Sequence, residues 1–206
     1  MTTTMKIGVI AIQGDVEEHV IAFEQTLAAR QEIGEVVKIK HRGIAGSCDA
    51  IVIPGGESTT IGRLMEREGI LPEIKEAAEE GKPILGTCAG MVLLAKEGDD
   101  EVAKTGQPLL DLIDVQVKRN AFGRQRESFE VLLKMSIFEA PFHAVFIRAP
   151  AITQAAENVE VLATFDEHIV AAKQGNTIAL SFHPELTEDR RIHHYFLDLC
   201  RQAIAE

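Results

Sequence analysis

Cys88 stands between two glycines in Gly86-Thr87-Cys88-Ala89-Gly90, directly after the apolar run Pro83-Ile84-Leu85 and before Met91-Val92-Leu93-Leu94-Ala95. This is the G-x-[Ser/Cys]-x-G pattern of a nucleophile elbow, a sharp strand-to-helix turn that lifts its central side chain clear of the sheet. The flanking glycines let neighbouring backbone pass close by. A thiol at the start of the following helix faces unpaired N–H groups, and such thiols ionise at pKa values of roughly 3.5–7.5. A small buried cysteine beside a tight turn has the same local sequence, so the chemistry depends on partners elsewhere in the chain.

A cysteine nucleophile needs a base, and the base needs a group to orient it. Ser181-Phe182-His183-Pro184-Glu185 offers both. Pro184 disfavours helix at His183. In extended chain, residues two apart point to the same side, so His183 and Glu185 are expected to face Cys88 together. The third element is Pro54-Gly55-Gly56-Glu57-Ser58, after the apolar run from Ala50 to Ile53. Adjacent glycines let backbone N–H groups turn toward a developing oxyanion with no side chain in the way. The plainer reading is a turn before a helix capped by Ser58 or Thr59. Arg119, Arg124 and Arg126 form a basic cluster in a chain of net charge −11. Arginine matches a carboxylate bidentately, which suits a free amino acid as ligand.

These groups must be carried on elements that converge. Lys6 to Ile12 reads as a buried strand, followed by a helix with Asp15 at its N-cap and Val16, Val20, Phe23 and Leu27 at helical spacing. Val36 to Ile39, Ala50 to Ile53 and Pro83 to Leu85 read as further strands. Thr59 to Glu68 and Leu71 to Glu80 read as helices stopped by Gly69 and Gly81. Strands alternating with helices predict a doubly wound α/β fold: a mostly parallel sheet with helices on both faces, in three layers. The second half is richer in strands, at Val115–Val117, Phe129–Leu133, Ala144–Ile147, Val159–Ala163, Ile169–Ala172 and Ile178–Phe182, before a closing helix from about Asp189 to Ile204. Residues 97–101 (EGDDE) read as a solvated acidic loop. In open α/β sheets, sites form beyond the carboxyl ends of strands, and the PGGES, GTCAG and HPE stretches each follow one.

Bulk properties narrow the function classes. The 206 residues suit one domain, residues 1–206, and no apolar run approaches the ~20 residues of a membrane span. A chain this acidic is a poor candidate for non-specific nucleic-acid binding, which draws on clustered Lys and Arg. No basic region followed by a long apolar one opens the sequence, so no secretory signal is expected. Three widely spaced cysteines, Cys48, Cys88 and Cys200, argue for a reducing, cytoplasmic setting and against a disulfide framework. Cys200 reads as core, His193 and His194 as surface residues, and no residue set has the spacing of a metal site.

PGG, G-x-C-x-G and H-P-E in this order resemble the class I glutamine amidotransferases. Further segments narrow the resemblance to the glutaminase subunits of pyridoxal 5′-phosphate synthases: residues 12–15 (IQGD), 54–60 (PGGESTT), 119–125 (RNAFGRQ), 128–130 (SFE), 146–150 (FIRAP) and 181–187 (SFHPELT). The resemblance implies a flavodoxin-like glutamine amidotransferase fold with no cofactor. It implies that Cys88 attacks the side-chain amide of L-glutamine to form a thioester, that His183 shuttles the proton, and that Glu185 orients His183. It places the oxyanion against backbone N–H groups of Gly56 and Ala89. It assigns the glutamine to Gly56, Glu57, Ser58, Arg119, Ile147 and Arg148. The partner it implies is a synthase subunit built as a (β/α)₈ barrel, facing Gln13, Asp15 and His19, which takes the ammonia. The chain departs from the family pattern at Glu17, where many relatives carry a basic residue; nucleophile and base are unaffected. Three other readings remain: a glutaminase serving another acceptor such as imidazole glycerol phosphate synthase, a stress or chaperone-like protein of the same superfamily, and a non-catalytic docking subunit. RNAFGRQ and FIRAP weigh against the first, and an intact Cys-His-Glu set against the other two.

Overall fold

The computed structural model describes residues 4–123 and 127–205. Arg124, Gln125 and Arg126, part of the arginine-rich segment, lie outside the described residues. In chain order the elements are β1 (Met5–Ile10), α1 (Val16–Ala29), β2 (Gly34–Ile39), β3 (Ala50–Ile53), α2 (Ser58–Arg67), α3 (Leu71–Glu79), β4 (Ile84–Thr87), α4 (Ala89–Leu94), β5 (Ala95–Gly98), α5 (Asp100–Thr105), β6 (Ile113–Lys118), β7 (Ser128–Leu133), β8 (Phe142–Ile147), β9 (Ala151–Ala155), β10 (Glu160–Phe165), β11 (His168–Gln174), β12 (Thr177–Leu180) and α6 (Arg191–Ala205). Short 3₁₀ turns occupy Ala45–Ser47 and Pro184–Leu186.

Ten strands form one sheet in the order β2-β1-β3-β4-β12-β11-β9-β6-β5, with β10 also paired to β11. From β2 to β12 all neighbours run parallel. From β12 onward β11, β9 and β6 pair antiparallel. The β7–β8 pair is a separate antiparallel ribbon. The central strands β3 and β4 have no exposed residue, as expected for parallel strands covered on both faces. One core joins α1, α6 and the ribbon to one face through Phe23, Phe146 and Phe196. The other joins α2, α3, α4 and α5 to the opposite face through Ile61, Ile74, Leu93 and Val102. Each such fully buried side chain contributes roughly 1.5–3 kcal/mol.

Turn chemistry ends the helices where the sequence predicts. Gly69 at φ +71° follows α2 and Gly81 at φ +79° follows α3. Two expectations are corrected, and one strand was not anticipated. The acidic stretch at residues 97–101 is not a loop: it spans the end of β5 and the start of α5, whose cap is the Asp99 carboxylate accepting from the Glu101 and Val102 N–H groups. β9 occupies a segment with no strong strand pattern and is held by pairing with β6 and β11. His193 is not at the surface; it is fully buried on α6, with its ring edge-on to Phe23 at 4.9 Å. Among the described residues, no helix is long and apolar enough to cross a membrane.

Candidate active site

β1, β3, β4 and β12 are consecutive neighbours in the parallel half, so their carboxyl ends open on one edge of the sheet. Each is followed by one of the segments of interest: Gln13–Asp15, Pro54–Ser58, Cys88 and His183. Together with Arg119 after β6 and Ile147 and Arg148 at the end of β8, they surround a pocket of ≈ 310 Å³. Of the residues expected in glutamine binding or the oxyanion hole, Gly56, Glu57, Ser58, Ala89, Arg119, Ile147 and Arg148 all line it.

Cys88 sits between β4 and α4 at φ 49°, ψ −103°, a strained backbone for a residue with a side chain. The turn is pinned by the Cys88 N–H donating to the Leu180 carbonyl of β12 at 2.7 Å. The glycines around it are required by close approach. A Cβ at Gly90 would lie 2.1 Å from the Ile53 carbonyl oxygen, and one at Gly86 would lie 2.7 Å from the Gly90 carbonyl. Cys88 is 8% exposed, with Sγ 3.8 Å from the Ile147 carbonyl oxygen. Cys48 and Cys200 are buried free thiols outside the pocket lining, and burial pushes both up in pKa, Cys200 the more strongly.

His183 is held by its N–H donating to the Val145 carbonyl of β8 at 2.9 Å. Its Nδ1 donates to Glu185 Oε1 at 2.7 Å. The expected pairing is present, but the route differs. Pro184–Leu186 is a 3₁₀ turn, not extended chain, and the turn folds Glu185 back under the imidazole. A second carboxylate meets the same ring nitrogen: Asp15 Oδ2 lies 3.3 Å from Nδ1. Asp15 occupies the N-cap position of α1, yet its side chain makes no capping bond. Burial works against a charged imidazole, but Asp15, the Cys88 sulfur and Glu185 outweigh it and push His183 up to about 12. The site therefore favours the imidazolium form of His183 beside the Cys88 sulfur. Among the described residues, Asp15, His183 and Glu185 are also the one set of three metal-ligating types brought together. With a proton on Nδ1 shared toward Glu185, that nitrogen has no lone pair for a cation.

His19, expected on a partner-facing surface, is fully buried. Its Nε2 lies 3.0 Å from Thr87 Oγ1 and 3.5 Å from Glu185 Oε1. Gln13 does stand at the pocket. Its Oε1 accepts from the Glu57 N–H at 2.9 Å, and the Asp15 N–H donates to the Gly55 carbonyl at 3.2 Å, so the Gln13–Asp15 segment grips the glycine turn. Gly56 has φ +147°, and a Cβ at Gly55 would lie 2.4 Å from the His183 ring. Ala89 is the first residue of α4, so its N–H has no intrahelical acceptor. The cap of α2 is neither Ser58 nor Thr59. Glu57 accepts from the Thr59 and Thr60 N–H groups, while the Ser58 hydroxyl donates to Gln107 Oε1 at 3.2 Å. Partial burial raises the Glu57 carboxyl, but hydrogen bonds from Thr60 and Thr59 hold it down at about 2. Arg119 donates to Thr59 Oγ1 and to Glu57 Oε1, both at 3.2 Å, which aims its guanidinium along the pocket wall. Asn120 also lines the pocket and was not anticipated; like Arg148 it has positive φ, at 49° against 42°, a property that residue type does not announce. Glu17 forms an ion pair with Lys38 on the outer side of α1.

A strained cysteine at the head of a helix, a paired imidazole and a facing arginine on a doubly wound sheet define a cysteine-dependent amidotransferase architecture. The chain belongs to the SNO glutamine amidotransferase family, whose model matches residues 9–202. It is 62% identical to the pyridoxal 5′-phosphate synthase subunit PdxT of Methanococcoides burtonii over 94% of this chain and 98% of that protein. It is 56% identical to the PdxT of Archaeoglobus fulgidus over 95% and 98%. A solved glutamine amidotransferase structure superposes with a TM-score of 0.84 at 44% identity, covering 95% of this chain and 98% of that one. PurLQS from Thermotoga maritima shares the fold, with a TM-score of 0.59 at 19% identity.

Proposed function

We propose that this chain is the glutaminase subunit of a pyridoxal 5′-phosphate synthase. It hydrolyses L-glutamine to L-glutamate and passes the ammonia to a synthase subunit, a (β/α)₈ barrel, docked over the carboxyl edge of the sheet. Near-full-length identity to PdxT proteins supports the pathway. The observation that carries the chemistry is the strained Cys88 in one pocket with the His183–Glu185 pair and Arg119. Arg119 receives the α-carboxylate of glutamine, with Glu57, Ser58, Ile147 and Arg148 completing the cradle. Cys88 Sγ adds to the amide carbon, and the oxyanion is stabilised by the N–H groups of Gly56 and Ala89. The imidazolium of His183 gives its proton to the leaving nitrogen, and ammonia departs as the thioester forms. A water molecule, deprotonated by His183, then adds to the thioester and releases glutamate and the thiolate. Residues 1–206 act as one glutaminase domain, and the free thiols support a reducing, cytoplasmic setting.

The test is ammonia release from glutamine by the purified chain, with and without a pyridoxal phosphate synthase subunit. The chain alone is expected to be weakly active, because a two-glycine turn can present either peptide face until a partner fixes it. Strong stimulation by the synthase subunit supports both chemistry and pathway. Full activity without stimulation points to a different acceptor. No activity in either condition defeats the glutaminase reading.

A further inference from the structure

α1 contributes two side chains to the His183–Glu185 pair from outside it. Asp15 and His19 lie one helical turn apart and so share a face. Asp15 Oδ2 reaches the ring nitrogen that Glu185 also holds, at 3.3 Å against 2.7 Å. His19 Nε2 reaches the same Glu185 oxygen that His183 uses, at 3.5 Å, while 3.0 Å from Thr87, the residue before the nucleophile. The hydrogen bond of His19 Nε2 is to the Thr87 hydroxyl, with Glu185 Oε1 standing beside it. Burial holds His19 below its ordinary pKa, in the neutral form. His19 thus wedges a neutral ring between Glu185 and the Thr87 hydroxyl without adding a charge that would compete with His183.

We propose that Asp15 and His19 are positioning residues for the reaction described above: Asp15 stabilises the His183 imidazolium, and His19 fixes the Glu185 carboxylate against the strand that carries Cys88. This assignment rests on the glutaminase reading. The groups facing His183 are Asp15 from α1, Glu185 from the 3₁₀ turn and Cys88 from the elbow. Those facing His19 are Glu185, His183, Asp15 and Glu18, with His193 of α6 behind it. An anion beside an imidazolium raises the pH at which its proton is lost, and removing the anion lowers it.

The experiment measures ammonia release by the full chain with a synthase subunit across pH, together with a ¹⁵N NMR titration of the His183 ring. D15N is expected to move the alkaline limb of kcat/KM, and the ring titration, to lower pH. H19F is expected to lower kcat by about 10- to 100-fold, because the Glu185 carboxylate loses its polar neighbour and its fixed position, with KM unchanged and the acid limb moved to higher pH. H19Q, which places an amide N–H at similar reach, is expected to recover most of that loss. Wild-type limbs in D15N and H19F overturn the proposal, as does an H19F loss that H19Q does not recover. If H19F fails to fold, D15N decides, since Asp15 is partly exposed and its replacement leaves the core intact. A wild-type chain that releases no ammonia defeats the glutaminase reading instead, while the NMR titration still reads the effect of Asp15 on His183.

Discussion

The two halves of the sheet bring different things to the pocket. The parallel half, β1 to β4 with β12, delivers the nucleophile, its base and the glycine turn, all at strand ends set one strand apart. The antiparallel half and the ribbon deliver Arg119, Ile147 and Arg148, which stand where a ligand would be held. Reacting groups come from the region whose geometry is fixed by hydrogen-bonded neighbours on both sides. Arg119 follows β6, whose pairings with β5 and β9 carry register shifts, while Ile147 and Arg148 stand at the end of a ribbon held outside the main sheet.

That division can be broken from either side. C88A is expected to lower glutamine hydrolysis by at least about 10³-fold while leaving the unfolding transition in place, read by ammonia release and thermal melting; retained turnover would end the mechanism. L162A, buried on β10 and not among the residues lining the pocket, should cost about 2–5 kcal/mol in denaturant unfolding and spare the activity of the folded fraction. R119A should raise KM by about 10- to 100-fold with little change in kcat; a fall in kcat alone would move Arg119 to the reacting side of the division. The smallest effect is expected from E57Q. Glu57 is held below the ordinary carboxylate pKa, so its contribution to stability is present above that value and is lost as pH falls through about 2. E57Q should flatten the acid limb of the stability–pH curve slightly, because the side chain is half exposed and solvent screens it.

Much of the parallel half was legible in the sequence because its signals are local. Apolar β-branched runs ended by Pro-Gly-Gly or Gly-Thr-Cys locate strands and turns without knowledge of neighbours. The second half was harder. β9 is made a strand by its pairing partners, and Asp99 converts an acidic stretch into a helix start by turning its own carboxylate onto two N–H groups. The burial of His19 and His193 depends on how α1 and α6 pack together, which polar residues on helices do not reveal. Asp15 reads locally as a cap, but its side chain is drawn instead to His183, a residue far along the chain.

β12 is among the last segments of the chain, yet it lies in the middle of the sheet, between β4 and β11. Its position orders events during synthesis on the ribosome. Until residues 177–180 have emerged, the parallel and antiparallel halves have no strand to join them, and the Cys88 N–H lacks its acceptor on Leu180. The long sequence separation makes this closure a late contact. The base follows three residues behind the strand, so the nascent chain carries its thiol for nearly half of translation before the imidazole that serves it exists.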